Sequence, residues 1–306
     1  MHTVARCPQG DKGTLRGDSQ GHTGEAEAHR GEDSEGGEME KFLLEGMTHE
    51  EVREVVGEGA VAVVPVGSFE QHGRHLPLIT DSRIVTYIAH EAAKLASEKA
   101  RVVISPTLWL GCSHHHMEFP GTLSLDRELF VKVVKDVGRC LARHGFRRIL
   151  FLNGHGGNSS PLKVAVDQLR DELGEGVLVA LVTYWELNLE EEVRRLRDSG
   201  PGGISHAGEL ETSCMLYLEP ESVRREKQHR FVPRWRTRNF GLGWYVPSPA
   251  YLGFHVRDFS KTGEVGDPTV ATAEKGRKFL ELAARRVAEF LVEFSSWEIP
   301  ELYEEG

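Results

Sequence analysis

Short continuous apolar runs alternate along this chain with segments whose apolar residues recur every three or four positions. Val61-Ala-Val-Val-Pro-Val66, Arg101–Ile104, Arg148–Leu152 and Val177–Thr183 have the length and β-branched content of buried strands. A helix is predicted after Asp81, with Ile84, Tyr87, Ile88, Ala92 and Leu95 on one face. Another is predicted over 127–144, with apolar Leu129, Phe130, Val133, Val137 and Leu141 and Gly145 as its stop. Thr48 and Glu51 spell a capping box, Pro161 opens a further helix, and a last one runs from Ala271 to about Glu293. Strands that are apolar throughout, rather than alternating, are buried on both faces. The pattern therefore predicts an α/β fold with a mostly parallel sheet covered on each side. The stretch 219–267 is less regular, with aromatics and prolines, and reads as a long excursion. In such sheets ligands bind at the carboxyl ends of the strands.

Composition changes this picture in three places. Residues 1–40 hold eight glycines, no aromatic residue, and nine acidic against four basic side chains. Such a segment cannot bury enough apolar surface to offset its chain entropy, so a disordered tail is expected over 1–40 and a single domain over 41–306. A net charge of −10 argues against nucleic acid as a partner, since phosphate binding needs a basic face. No run approaches the ~18 apolar residues of a membrane span, and no signal-peptide core is present, so no membrane association and a cytoplasmic location are expected. The four cysteines are far apart and form no CxxC pair, as for reduced thiols.

Polar clusters follow the predicted strands. Gly67-Ser-Phe-Glu70-Gln-His72 leads to Asp81, and this carboxylate–imidazole–carboxylate spacing suits a zinc, manganese or iron site. The same residues could equally be a salt bridge, a solvated loop and a helix N-cap. Asn153-Gly-His155-Gly-Gly157-Asn158 presents a histidine in a glycine turn; a phosphate loop is the rival, but the Walker lysine and the GxGxxG spacing are missing. Ser205-His206-Ala-Gly-Glu209-Leu-Glu211 opens a helix, where carboxylates also complement the helix dipole. His114, His115 and His116 are consecutive and cannot all face one way.

Taken together, GSFEQHGRHLPLITD, SHHHMEFPGTLSLD, NGHGGN and SHAGELETS, in this order and spacing, resemble the creatininase (creatinine amidohydrolase) family from about Val61 to Leu218. The resemblance implies a three-layer α/β/α fold, two divalent metal ions per subunit (zinc, manganese or iron) and C–N hydrolysis, often in ring-shaped homo-oligomers of six. It implies metal ligands at Glu70, His72, Asp81 and His155, with Asp81 bridging. Creatininase has a ligating glutamate two residues after the NGH histidine, where this chain has Gly157. Glu209 is our expected replacement, because creatininase has no carboxylate there; the competing assignment puts Glu211 on the metal, the two being ~200° apart around a regular helix. Trp185 matches a creatininase tryptophan, but Gly202 stands where a second one would be, which speaks against creatinine as substrate. The general pattern is nearer that of archaeal formamidopyrimidine deformylases and the mycofactocin-maturation peptidase, both amide hydrolases.

The expected activity is hydrolysis of an amide, cyclic amide or formamide bond in a small molecule or short peptide by metal-activated water. His206 would deliver a proton to the leaving nitrogen, Glu211 would orient His206 or a ligand, and His115, His116 and Trp185 would line the substrate pocket. A lactone or cyclic-ketone hydrolase on the same metals, and a non-catalytic metal-binding assembly protein, are the alternatives.

Overall fold

The computed structural model describes residues 42–233 and 237–299; the tail expected over 1–40 lies outside them. In chain order the elements are α1 (His49–Gly57), β1 (Val61–Val66), α2 (Thr80–Ala96), β2 (Val102–Ile104), α3 (Arg127–Arg143), β3 (Arg148–Asn153), α4 (Ser159–Leu173), β4 (Leu178–Thr183), α5 (Glu190–Leu196), α6 (Glu209–Leu218), α7 (Val256–Phe259) and α8 (Ala273–Ser296). The strands form one parallel sheet in the order β2-β1-β3-β4.

Alternation along each strand builds two cores. Val61, Val63, Leu150 and Leu152 face α2, α6 and α8, whereas Ala62, Val64, Ile149 and Phe151 face α1, α3 and α4. The result is the expected three-layer α/β/α arrangement. Among the described residues no helix is long and apolar enough to cross a membrane.

Local chemistry sets the helix ends. Thr48 and Glu51 form the predicted capping box on α1, and Asp126 caps α3 by accepting from Glu128 and Leu129 N–H. Pro161 does not open α4; it is the third helical residue, still within the first turn, where a missing N–H breaks no helical bond. Asp81 is not an N-cap either, since α2 starts at Thr80. Two leucines of these apolar sets, Leu95 and Leu129, are exposed, and Val134 rather than Val133 is buried in α3. Each apolar stripe is rotated slightly from its sequence reading because the sheet, not the period alone, chooses the buried face.

Register brings the functional segments level. Val66 pairs with Asn153 and Asn153 with Thr183, so β1, β3 and β4 end side by side. The Glu70–His72 turn, the His155 turn and the Tyr184-Trp185 turn therefore leave the sheet at one rim.

Candidate metal centre

Glu70 is fully buried at this rim, and three imidazoles converge on it. Its Oε2 is 3.1 Å from His155 Nε2; its Oε1 is 3.3 Å from His116 Nε2 and 3.5 Å from His206 Nδ1. Asp81, on the first turn of α2, reaches in beside it. Its Oδ1 is 3.1 Å from His72 Nε2 and its Oδ2 is 3.0 Å from His155 Nδ1. Glu211 Oε2 stands 4.0 Å from His72 Nε2. One carboxylate thus touches both histidine ligands expected from the sequence.

The outer contacts orient the rings. His72 Nδ1 donates to the Glu70 carbonyl (3.0 Å), which leaves Nε2 facing Asp81. His206 Nε2 donates to the Gln71 carbonyl (2.7 Å), which turns Nδ1 toward Glu70. Gln71 Nε2 donates to His116 Nδ1 (2.7 Å) and is itself fixed by Gly263 O, while its Oε1 accepts from Gly73 N–H. His206 is held in place by a bridge to Val265, at the end of the irregular excursion. Ala207, in the left-handed region at φ 52°, donates its N–H to Glu211 Oε2 (2.5 Å). Glu211 therefore braces the turn that presents His206.

Burial and mutual charge shift these groups together. Burial lifts the Glu70 carboxyl to about 7 against the pull of His155, and lifts Glu211 to about 8 against His72. Burial alone would lower His72, but Asp81 outweighs it and raises the ring to about 10; at His155, Glu70 and Asp81 outweigh burial and raise it to about 9. Asp81 would be raised by burial, yet His72 and His155 hold it below the usual carboxylate range. Burial pushes His115 down to about 3 and leaves His116 and His206 well below an ordinary imidazole.

The donor set fits divalent cations. Glu70 Oε1 and Asp81 Oδ2 are buried without a hydrogen bond, although imidazole nitrogens crowd them, and an uncompensated buried carboxylate oxygen is costly. Glu70–His72–Asp81, Glu70–His115–His155 and His72–His206–Glu211 each place ligand atoms within 4.8 Å of one another. Mixed carboxylate and imidazole donors suit zinc, manganese or iron.

Residues 45–291 match the creatininase (creatinine amidohydrolase) family. The chain belongs to that family. It is 37% identical over 246 residues to the mycofactocin precursor peptide peptidase of Mycobacterium tuberculosis (strain CDC 1551 / Oshkosh), covering 75% of this chain and 85% of the relative. It is 30% identical over 272 residues to creatinine amidohydrolase of Pseudomonas putida, covering 83% and 98%. A solved creatinine amidohydrolase (creatininase) superposes with a TM-score of 0.70 at 26% identity, over 84% of this chain and 99% of the other. Membership carries the reaction class: this creatininase-family chain is a metal-dependent hydrolase of C–N bonds.

Within this creatininase-family site one expectation is overturned. Glu209 does not face the cluster. Its carboxylate accepts from the Asp198 and Ser199 N–H groups (2.8 Å each) and from Lys275 Nζ (2.6 Å), on the opposite side of α6. A buried lysine demands a counter-charge, and the half-turn between 209 and 211 gives it Glu209 while leaving Glu211 facing His72.

Glu70, Asp81, His115, His116, His155, Trp185, His206 and Glu211 line one cavity of about 560 Å³; His72 sits behind it. Trp185 stacks on Trp244, with ring centroids 4.8 Å apart and planes at 6°. Trp244, Gln71 and Lys275 were not picked out from the sequence. The aromatic content of the excursion was the signal for the first, and the place of Gln71 between Glu70 and His72 the signal for the second; Lys275 gave none.

Proposed function

We infer that this enzyme hydrolyses an amide bond in a short peptide or peptide-derived molecule, using two divalent ions. The observation that carries this reading is the cavity. About 560 Å³ with a stacked Trp185–Trp244 wall lies in the ~300–1,000 Å³ range of drug-sized ligands, more than a single small ring requires. The likeness to peptide peptidases supports the same substrate class.

Glu70 and His155 would hold one ion, His72 and Glu211 the other, and Asp81 would touch both. Solved relatives include a mutant creatininase of Zn–Zn type and a manganese creatininase, which supports zinc or manganese. A bound pair would supply a Lewis acid for the carbonyl and a water acidic enough to attack near neutral pH. His206, its Nε2 committed to Gln71 O, keeps Nδ1 free to take a proton and pass it to the leaving nitrogen. His116, steadied by Gln71, faces the cavity and would contact substrate. Among the described residues Cys112, Cys140 and Cys214 are unpaired, which fits the cytoplasm, and the family resemblance favours a homo-oligomer, a hexamer.

The test is a substrate panel on metal-replete protein: short peptides, formamides, cyclic ureides and lactones, with products read by mass spectrometry. Release of an amine fragment from peptides is expected. Turnover confined to cyclic ureides or lactones would overturn the peptide reading.

A further inference from the structure

The glycine turn after β3 is shaped by what stands across from it. A Cβ on Gly157 would lie 2.3 Å from Cys112 O, 2.5 Å from His155 Nε2 and 2.7 Å from His115 Cε1, all closer than real Cβ contacts. No side chain fits at 157. The Cys112 carbonyl and the His155 ring stand closest to that space, and the His115 ring borders it next.

That ring has the position of a donor. His115 stacks on His155 (centroids 5.6 Å, planes at 19°), and one of its nitrogens lies within 4.8 Å of ligand atoms on both Glu70 and His155. Its neighbours are held differently, and His116 turns its Nε2 to the other Glu70 oxygen, Oε1, at 3.3 Å. The 114–116 segment is a 3₁₀ turn, whose successive side chains point ~120° apart. His114 Nδ1 pairs with Ser124 Oγ at 2.9 Å, and His116 Nδ1 accepts from Gln71. Among the described residues the His115 nitrogens have no hydrogen-bond partner.

We propose that His115 supplies a further nitrogen ligand to the Glu70–His155 ion, from a ring stacked on His155 beside the glycine turn. The proposal rests on the metal centre described under the proposed function. It has a chemical consequence: a second imidazole donor beside His155 favours zinc or cobalt over manganese at that ion.

The experiment measures metal per chain, chelator-competition affinity and the visible spectrum of the Co²⁺-loaded full-length protein. His115→Ala and the shape-keeping His115→Gln should each weaken one ion by more than ~100-fold, beyond the ~10–100-fold that follows loss of an outer partner. The Co²⁺ bands should change in both, and free imidazole should restore bands and affinity in His115→Ala. Asp81→Ala serves as the reference. Full metal content in Asp81→Ala would defeat the metal-centre reading itself. Metal lost in Asp81→Ala, with parental stoichiometry, affinity and spectrum in both His115 variants, would leave His115 a cavity wall and overturn this proposal alone.

Discussion

Glu209 Oε1 lies 2.6 Å from Lys275 Nζ, and this contact separates the roles of two glutamates only two positions apart. The α8 lysine ties down one carboxylate, and the 198–199 backbone amides complete its shell. Its neighbour Glu211 is left to face His72.

Glu209→Ala should therefore cost about 3–5 kcal/mol of stability, since it strands a buried ammonium and two amides. Metal content should be unchanged. Glu211→Gln should do the reverse, losing metal affinity with a small change in the thermal midpoint. Elemental analysis and thermal unfolding of both variants check the pair; metal lost in Glu209→Ala at parental stability would reverse the assignment.

Asp81 contacts both His72 and His155, one through each carboxylate oxygen. Asp81→Ala should abolish binding of both ions and reduce turnover to background. Retention of either ion, measured by elemental analysis after dialysis, contradicts the bridging role.

Metal binding should release protons. Without metal, His72 and His155 stay protonated up to about 10 and 9, and Glu70 and Glu211 up to about 7 and 8. A cation must displace those protons, so affinity should rise with pH. Calorimetry in buffers of different ionisation enthalpy should give a positive count of protons released; a count of zero contradicts it.

The stability of the metal-free protein should run the opposite way. All four groups have folded-state pKa values above their unfolded ones, so each contributes stability at low pH that is lost as pH rises through the folded value. Asp81, held low, adds stability that disappears only in acid. Thermal midpoints of chelated protein should fall from about pH 6 to about pH 10, and added metal should reverse the slope. A flat profile would show that the cluster is not protonated as described.

Trp244 closes the cavity by stacking on Trp185, and Tyr245 Oη donates to Trp185 O at 2.6 Å. Trp244→Ala should raise KM for a peptide substrate by about tenfold or more, in keeping with ~1.5–3 kcal/mol for a buried aromatic contact, and leave metal content intact. Unchanged KM would remove Trp244 from the substrate site.

The strands, the flanking helices and the grouping of Glu70, His72, Asp81, His155 and His206 were legible in the sequence. Apolar runs of strand length need burial on both faces, and parallel strands carry their polar turns to one rim; that these residues form one set came from the family resemblance of the four ordered motifs. Which way Glu209 and Glu211 point was not legible, because it depends on Lys275, 66 residues away from Glu209 and unmarked by any pattern. The place of His115 against Gly157 and of Trp244 against Trp185 likewise depended on the long connections from β2 and through 219–267, whose paths local periodicity does not fix. Local patterning determined the elements and the donor types; only the packing of distant segments decided which donor faces the buried cluster, because a buried charge or ring is placed by whatever partner the fold brings to it.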